Sequence, residues 1–252
     1  MNLKDKVVLI TGGSRGIGKE TSLLFAQKGA SVIINYRSNT KEAKNTLALL
    51  KPGKHKIYQA DVSDVDDVKK MIGDIIAEYS RIDVLVNNAA IAIEHDINKI
   101  DFEEWLDAWD KTININLTGL ANICFLAAKQ MIIQNSGHII NVSSRGAFRG
   151  EPKYPAYGAS KSGVNALSQS LAKALGEHNI SVTVVAPGFV ETDMGKQILD
   201  TEEGEALRNE SPFKRVAYPD EVAHIIAFLA EEKSTFMSGG IIDINGASFL
   251  RM

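Results

Sequence analysis

Short runs of β-branched and aliphatic residues recur along the chain, separated by longer stretches whose apolar positions repeat at three- and four-residue spacing. The runs are Val7–Ile10, Val32–Tyr36, Lys56–Gln59, Ile82–Val86, His138–Val142, Val182–Ala186 and Ile241–Ile244. The helical patterns cover about 16–28, 40–50, 64–79, 101–133, 156–177 and 219–231. Alternation of this kind predicts an α/β fold: a doubly wound, Rossmann-like parallel sheet of about seven strands with helices on both faces. Several runs are apolar almost throughout, as strands covered on both faces must be. No repeat, low-complexity segment or linker interrupts the pattern, so residues 1–252 read as one domain.

In open parallel sheets ligands sit outside the carboxyl ends of the strands, which directs attention to the residues after each run. After the first comes Thr11-Gly12-Gly13-Ser14-Arg15-Gly16-Ile17-Gly18, followed by a helical pattern. Glycines let backbone approach a ligand closely, and the helix start offers unpaired N–H groups to an anion. The spacing Gly12-x3-Gly16-x-Gly18 is neither G-x-G-x-x-G nor a P-loop, so by itself it marks an anion site without naming the anion. After the second run, where NAD-binding folds place an acid for the ribose 2′-OH, no carboxylate occurs from Gly29 to Lys41. Arg37 stands there instead, and Arg15 lies in the glycine turn. Guanidinium groups suit a ribose 2′-phosphate, so NADP is expected over NAD; the plain alternative is two solvated loop arginines. Asp61-Val62 follows the third run, where Asp61 either accepts from an adenine amino group or caps the helix beginning near Ser63. Asn87-Asn88-Ala89-Ala90 follows the fourth, small enough for close backbone approach.

The segment 101–133 is long for one helix and carries Asn114-Ile115-Asn116-Leu117-Thr118-Gly119 at its middle. That composition is poor for a helix and predicts a local distortion that frees a backbone carbonyl. Cys124, among Ile123, Phe125 and Leu126, reads as a small buried residue rather than a nucleophile. Ser144 follows the fifth run, and Tyr157 and Lys161 lie four apart on the next helix, one face of it. A nearby ammonium stabilises phenolate and is expected to lower the tyrosine pKa, fitting Tyr157 to exchange a proton with a carbonyl oxygen that Ser144 also binds. After the sixth run come Pro187-Gly188-Phe189-Val190-Glu191-Thr192-Asp193-Met194 and a polar stretch to Pro212, read as a lid over about 190–213. Ile91, Ile93, Phe148 and Phe189 are candidates for an apolar pocket lining, with Glu94, His95, Arg145 and Arg149 as polar contacts. The five histidines fall in no metal-ligand spacing, and no metal is expected.

A net charge of -3 gives no basic surface for nucleic acid. One cysteine among 252 residues allows no internal disulfide. The start of the chain lacks a signal-peptide core and no apolar run approaches a membrane span, so no membrane partner and a cytoplasmic location are expected.

Taken together and in this order, Thr11-Gly12-x3-Gly16-x-Gly18, Asp61-Val62, Asn87-Asn88-Ala89, Asn116, Ser144, Tyr157-x3-Lys161 and Pro187-Gly188 with Thr192 resemble the short-chain dehydrogenase/reductases. The resemblance covers nearly the whole chain and implies an oxidoreductase interconverting a ketone and a secondary alcohol by hydride transfer. It implies a catalytic set of Asn116, Ser144, Tyr157 and Lys161: Ser144 positioning the oxygen, Tyr157 as general acid/base, Lys161 tuning it and holding the nicotinamide ribose, Asn116 holding a water. It implies dinucleotide contacts from Gly12, Ser14, Arg15, Gly16, Ile17, Gly18, Arg37, Asp61, Val62, Asn88, Tyr157, Lys161, Val190 and Thr192. A homotetramer built through the helices at 101–133 and 156–177 and the last strand is likewise implied. Among such proteins the chain is most similar to the 3-oxoacyl-[acyl-carrier-protein] reductases. It departs from them at Gln134-Asn135-Ser136 and Glu177-His178, where basic residues thought to dock the acidic carrier are usual, at Asn245-Gly246-Ala247, and at Ala90 in place of Gly. Carrier-protein docking is thereby put in question. The competing classes are a dehydrogenase of a sugar, steroid or small alcohol using NAD or both cofactors, and a cofactor-binding protein without turnover, which the Tyr–Lys pair argues against.

Overall fold

The computed structural model describes residues 3–192 and 199–251. Asp193 and Met194, and with them part of the 190–213 segment, lie outside the described residues. Seven strands form one sheet: β1 (Val7–Thr11), β2 (Ser31–Tyr36), β3 (Lys56–Gln59), β4 (Val84–Asn87), β5 (Gly137–Val142), β6 (Ile180–Pro187) and β7 (Ile241–Ile244). Their order is β3-β2-β1-β4-β5-β6-β7, every pair parallel. The chain reverses direction across the sheet between β1 and β4, the crevice where such sheets bind ligands. The register pairs Thr11 with Asn87 and Asn87 with Asn141, so the carboxyl ends of three strands lie level there.

Alternation along each strand builds two cores. Val7 and Leu9 join Ile33, Leu85, Ile139 and Val182 on one face. Val8 and Ile10 join Ile34, Val86, Ile140 and Val185 on the other. On the first face pack α3 (Val65–Tyr79), α5 (Leu120–Gln134) and α7 (Pro155–Leu175), through Met71, Ile75, Ile123, Met131 and Val164. On the second pack α1 (Gly16–Gln27) and α9 (Pro219–Leu229), through Phe25, Val222 and Ile226, with α2 (Thr40–Leu49) contributing Leu47. Side chains buried this fully contribute about 1.5–3 kcal/mol each, before the entropy of ordering them.

Helix ends follow local chemistry. Asp64 accepts from the amides of Asp66 and Asp67 and starts α3, so the residue that caps is Asp64, and Asp61 lies outside the helix. Asp101 and Glu104 form a reciprocal capping box at α4 (Phe102–Ile113). The stretch predicted as one long helix is interrupted by a π-helical turn at Asn114–Gly119. By length and composition Phe102–Gln134 is apolar enough to cross a membrane. Here it is a core helix, with Leu120, Ile123, Cys124, Ala127 and Met131 under the sheet. Among the described residues, the single turn α6 (Gly146–Arg149) and α8 (Glu202–Asn209) within the polar stretch were not predicted, the latter started by Thr201 capping the amide of Gly204.

Candidate active site

The glycine turn is built for close approach. Gly12 and Gly16 take φ of +61° and +53°, open to glycine at no steric cost. A Cβ at Gly18 would lie 2.3 Å from the Gly12 carbonyl oxygen, so α1 begins closer to the turn than any other residue permits. The turn is braced from both neighbouring strands. Asn35, buried in β2, offers Oδ1 to the Gly12 amide at 3.4 Å and its carbonyl to the Gly13 amide at 3.0 Å. Asn88 donates from Nδ2 to the carbonyls of Thr11 and Gly12 at 3.1 and 3.0 Å, and Thr11 Oγ1 accepts from the amides of Asn88 and Ala89. Ser14 is buried, its carbonyl held by Thr46 Oγ1 at 2.9 Å, and the Ile17 carbonyl accepts from Thr21 Oγ1 at 2.7 Å.

The start of α1 has neither a side-chain cap nor an acid in its first turn. Its leading amides and partial positive charge are left to an anion. Arg15 and Arg37 are both exposed, and neither guanidinium has an ion-pair partner among the described residues. Thr192 closes the turn from above: a Cβ on Gly16 would meet its Cγ2 at 3.0 Å. Val190, buried, is set by a bridge to Ala217. Farther along the sheet, one oxygen of Asp61 accepts from the amide and hydroxyl of Ser63, at 2.9 and 2.7 Å. Val62 is buried, and its carbonyl is so close to Gly119 that a Cβ there would lie 2.2 Å from it. A glycine cradle and an uncapped helix start fit the phosphates of a nicotinamide dinucleotide.

Across the crevice lie the residues suited to proton transfer. The Asn116 side chain is wholly buried and fully engaged: Oδ1 accepts from the Ile91 amide, and Nδ2 donates to the Ile91 carbonyl and to Ser160 Oγ, at 2.9, 2.9 and 3.2 Å. Ser144 accepts from the Gly146 amide at 3.0 Å, and its hydroxyl reaches the Tyr157 phenol. Lys161 is 2% exposed, its Nζ donating to the Val142 carbonyl at 2.8 Å and standing 5.6 Å from the Tyr157 ring centre.

Burial dominates the titration of both groups. Burial pushes the phenol above its ordinary 10.0, the Ser144 hydrogen bond pulls it back in part, and the Glu151 carboxylate pushes it up further. Burial drives the Lys161 ammonium down from 10.5 to about 8. Desolvation is the largest cause at both groups, and the ammonium donates to the Val142 carbonyl.

Three residues expected as polar pocket contacts are engaged by other groups of the protein. Arg145 is buried and paired with Glu210 at 2.5 Å and Ser248 at 2.6 Å. Arg149 bonds Glu151 and Glu210. His95 is 1% exposed with both ring nitrogens bonded to backbone groups. Phe148 lies under the Arg251 guanidinium at 4.3 Å. A cavity of about 560 Å³ beneath the C-terminal segment is lined by Phe189, Phe213, Phe249 and Arg145, but by none of Asn116, Ser144, Tyr157 or Lys161. Sequence reasoning passed over Asn35, although an asparagine inside an otherwise apolar, buried strand is itself a signal of a bracing role.

A family model described as Enoyl-(Acyl carrier protein) reductase matches residues 12–247. The chain is 41% identical to 3-oxoacyl-[acyl-carrier-protein] reductase FabG of Thermotoga maritima, with 98% of each chain covered. It is 37% identical to the FabG reductase of Chlamydia trachomatis, with 97% of each covered. It is 36% identical to that of Staphylococcus aureus, covering 97% of this chain and 98% of the relative. The crystal structure of gox2181 is similar at a TM-score of 0.91 and 28% identity, over 98% of this chain and 96% of that one.

Proposed function

The chain belongs to the short-chain dehydrogenase/reductase family and is an oxidoreductase of small carbonyl or alcohol substrates, and from that premise we propose that it is an NADP(H)-dependent ketone reductase with Tyr157 as general acid. The observation that carries the proposal is a phenol held protonated at neutral pH, hydrogen-bonded to Ser144 and one helical turn from the buried Lys161. Gly12, Gly16, Gly18 and the leading amides of α1 would hold the dinucleotide, which would supply the hydride. Tyr157 gives its proton to the carbonyl oxygen, and Ser144 hydrogen-bonds the same oxygen and keeps it in line. Lys161, titrating at about 8, is still charged at neutral pH and stabilises the phenolate left behind. Arg15 and Arg37 would hold the 2′-phosphate, and Val190 and Thr192 the nicotinamide end, under a lid proposed over 190–213.

The substrate to test first is a 3-oxoacyl thioester, the class named for the relatives. Docking of an acidic carrier is not favoured. Gln134, at one of the two expected docking positions, has its side chain bonded to the backbone of Ile82, and Glu177 at the other is an exposed acid. Exposed Phe102, Leu106, Phe125 and Ile133 on α4 and α5 support the homotetramer reading.

Tyr157→Phe tests the reading. Turnover is expected to fall by about 10²–10⁴-fold, with NADPH affinity held within about twofold. Undiminished turnover would remove Tyr157 from the chemistry. Parallel titration with NADPH and NADH checks the arginines, and a clear NADH preference would overturn the phosphate assignment.

A further inference from the structure

His95 lies outside every motif that marks the site, yet it is 1% exposed and both its ring nitrogens are bonded. Its ring is buried between the loop after β4 and the start of α7. Nε2 accepts from the Ala156 amide at 3.0 Å, so the ring proton resides on Nδ1, which donates to the Ile93 carbonyl at 2.8 Å. The His95 amide donates to the Lys153 carbonyl at 2.9 Å. Trp105 on α4 holds the far side of the ring edge-on at 5.4 Å, itself backed by Trp109 at 5.7 Å.

A helix leaves its first amides without intrahelical partners. Tyr154, at the N-cap of α7, makes no side-chain cap. His95 supplies the missing acceptor from another loop, at the residue immediately before Tyr157. We infer that His95 is a positioning residue for Tyr157: its Nε2–Ala156 bond fixes where the first turn of α7 begins and hence where the phenol stands relative to Ser144. The inference rests on Tyr157 being the general acid. A phenol displaced by about 1 Å loses alignment with its acceptor while the dinucleotide cradle, on the other side of the crevice, is untouched.

Two variants separate the two ring bonds. In H95Q the amide oxygen reaches the place of Nε2 and can accept from Ala156; in H95N the shorter amide serves Ile93 but falls short of Ala156. H95Q is expected to keep kcat within about threefold of wild type. H95N is expected to lose about tenfold or more in kcat, with NADPH affinity unchanged and a urea midpoint close to that of H95Q. Equal kcat in the two variants, or a loss in H95N that tracks a fallen urea midpoint, would overturn the positioning role and leave an ordinary structural clamp. Tyr157→Phe assayed alongside keeps the two ideas apart: if that variant turns over normally the general-acid assignment fails first, and if it is inactive while H95N is not, only the role of His95 fails.

Discussion

Burial of Lys161 sets the catalytic requirement against stability, and the conflict is measurable. The fall of its pKa from 10.5 to about 8 corresponds to about 3 kcal/mol against folding with the ammonium charged. The folded value lies below the unfolded one, so between pH 8 and 10.5 the unfolded chain binds more protons. The penalty is therefore complete below about pH 8 and fades as the pH rises to 10.5; about half of it is gone by pH 9.5. Lys161→Met keeps a side chain of similar length in a site that is 2% exposed, while removing the charge. It also removes the bond to the Val142 carbonyl, which costs about 1 kcal/mol. The net expectation at pH 7 is a gain of about 2 kcal/mol, read as a higher urea midpoint at unchanged m. At pH 9.5 the gain shrinks toward zero. Turnover is lost at both pH values, a trade of activity against stability. A variant less stable than wild type at pH 7, or a difference that does not change between pH 7 and 9.5, would refute the claim that a buried ammonium is held here under strain.

Because the Tyr157 phenol is pushed above 10, reduction should be level from about pH 6 to 7.5, while alcohol oxidation, which needs phenolate, rises across the same range. A level oxidation rate in steady-state assays would mean that the phenol is depressed instead. Gly119→Ala forces a methyl against the Val62 carbonyl, 2.2 Å from it; a loss of about 1–3 kcal/mol and weaker dinucleotide binding are expected by urea titration and fluorescence quenching. Cys124 is wholly buried and its thiol is pushed up to about 12 by burial, so a thiol reagent should leave it unmodified until the protein unfolds. Fast labelling of the native protein would contradict that placement.

The sheet was legible because period-two alternation and apolar runs are properties of single strands, and the observed strands fall within a few residues of the predicted ones. The π turn was legible as a distortion because Asn114, Asn116 and Gly119 disfavour a regular helix whatever they touch. What sequence could not give was the partner of each polar side chain. His95, Arg145 and Arg149 read as pocket contacts because they lie near the crevice in sequence order. Their partners, Ala156, Glu210 and Ser248, are 61, 65 and 103 positions away or close to it, and only the fold brings them in. The same limit holds at Tyr157: helical spacing places Lys161 beside it, but how far burial shifts each group, and where the ammonium donates, comes from the fold.

The buried polar side chains around the crevice divide by what they hold. Asn35 and Asn88 fix the glycine turn from two strands, Asn116 fixes the loop at Ile91, and His95 fixes the start of α7. Each bonds backbone, Asn116 reaching Ser160 Oγ as well, so each defines the path of a loop that carries a functional group. A buried amide or imidazole left with one bond unmade loses more than it gains from any alternative arrangement, which makes such brackets two-sided constraints rather than loose contacts. Loops after parallel strands would otherwise be the mobile parts of this fold. The brackets turn them into a rigid frame, and the frame is what lets a phenol on α7 and an anion cradle on β1, distant in sequence, face the same crevice with fixed spacing.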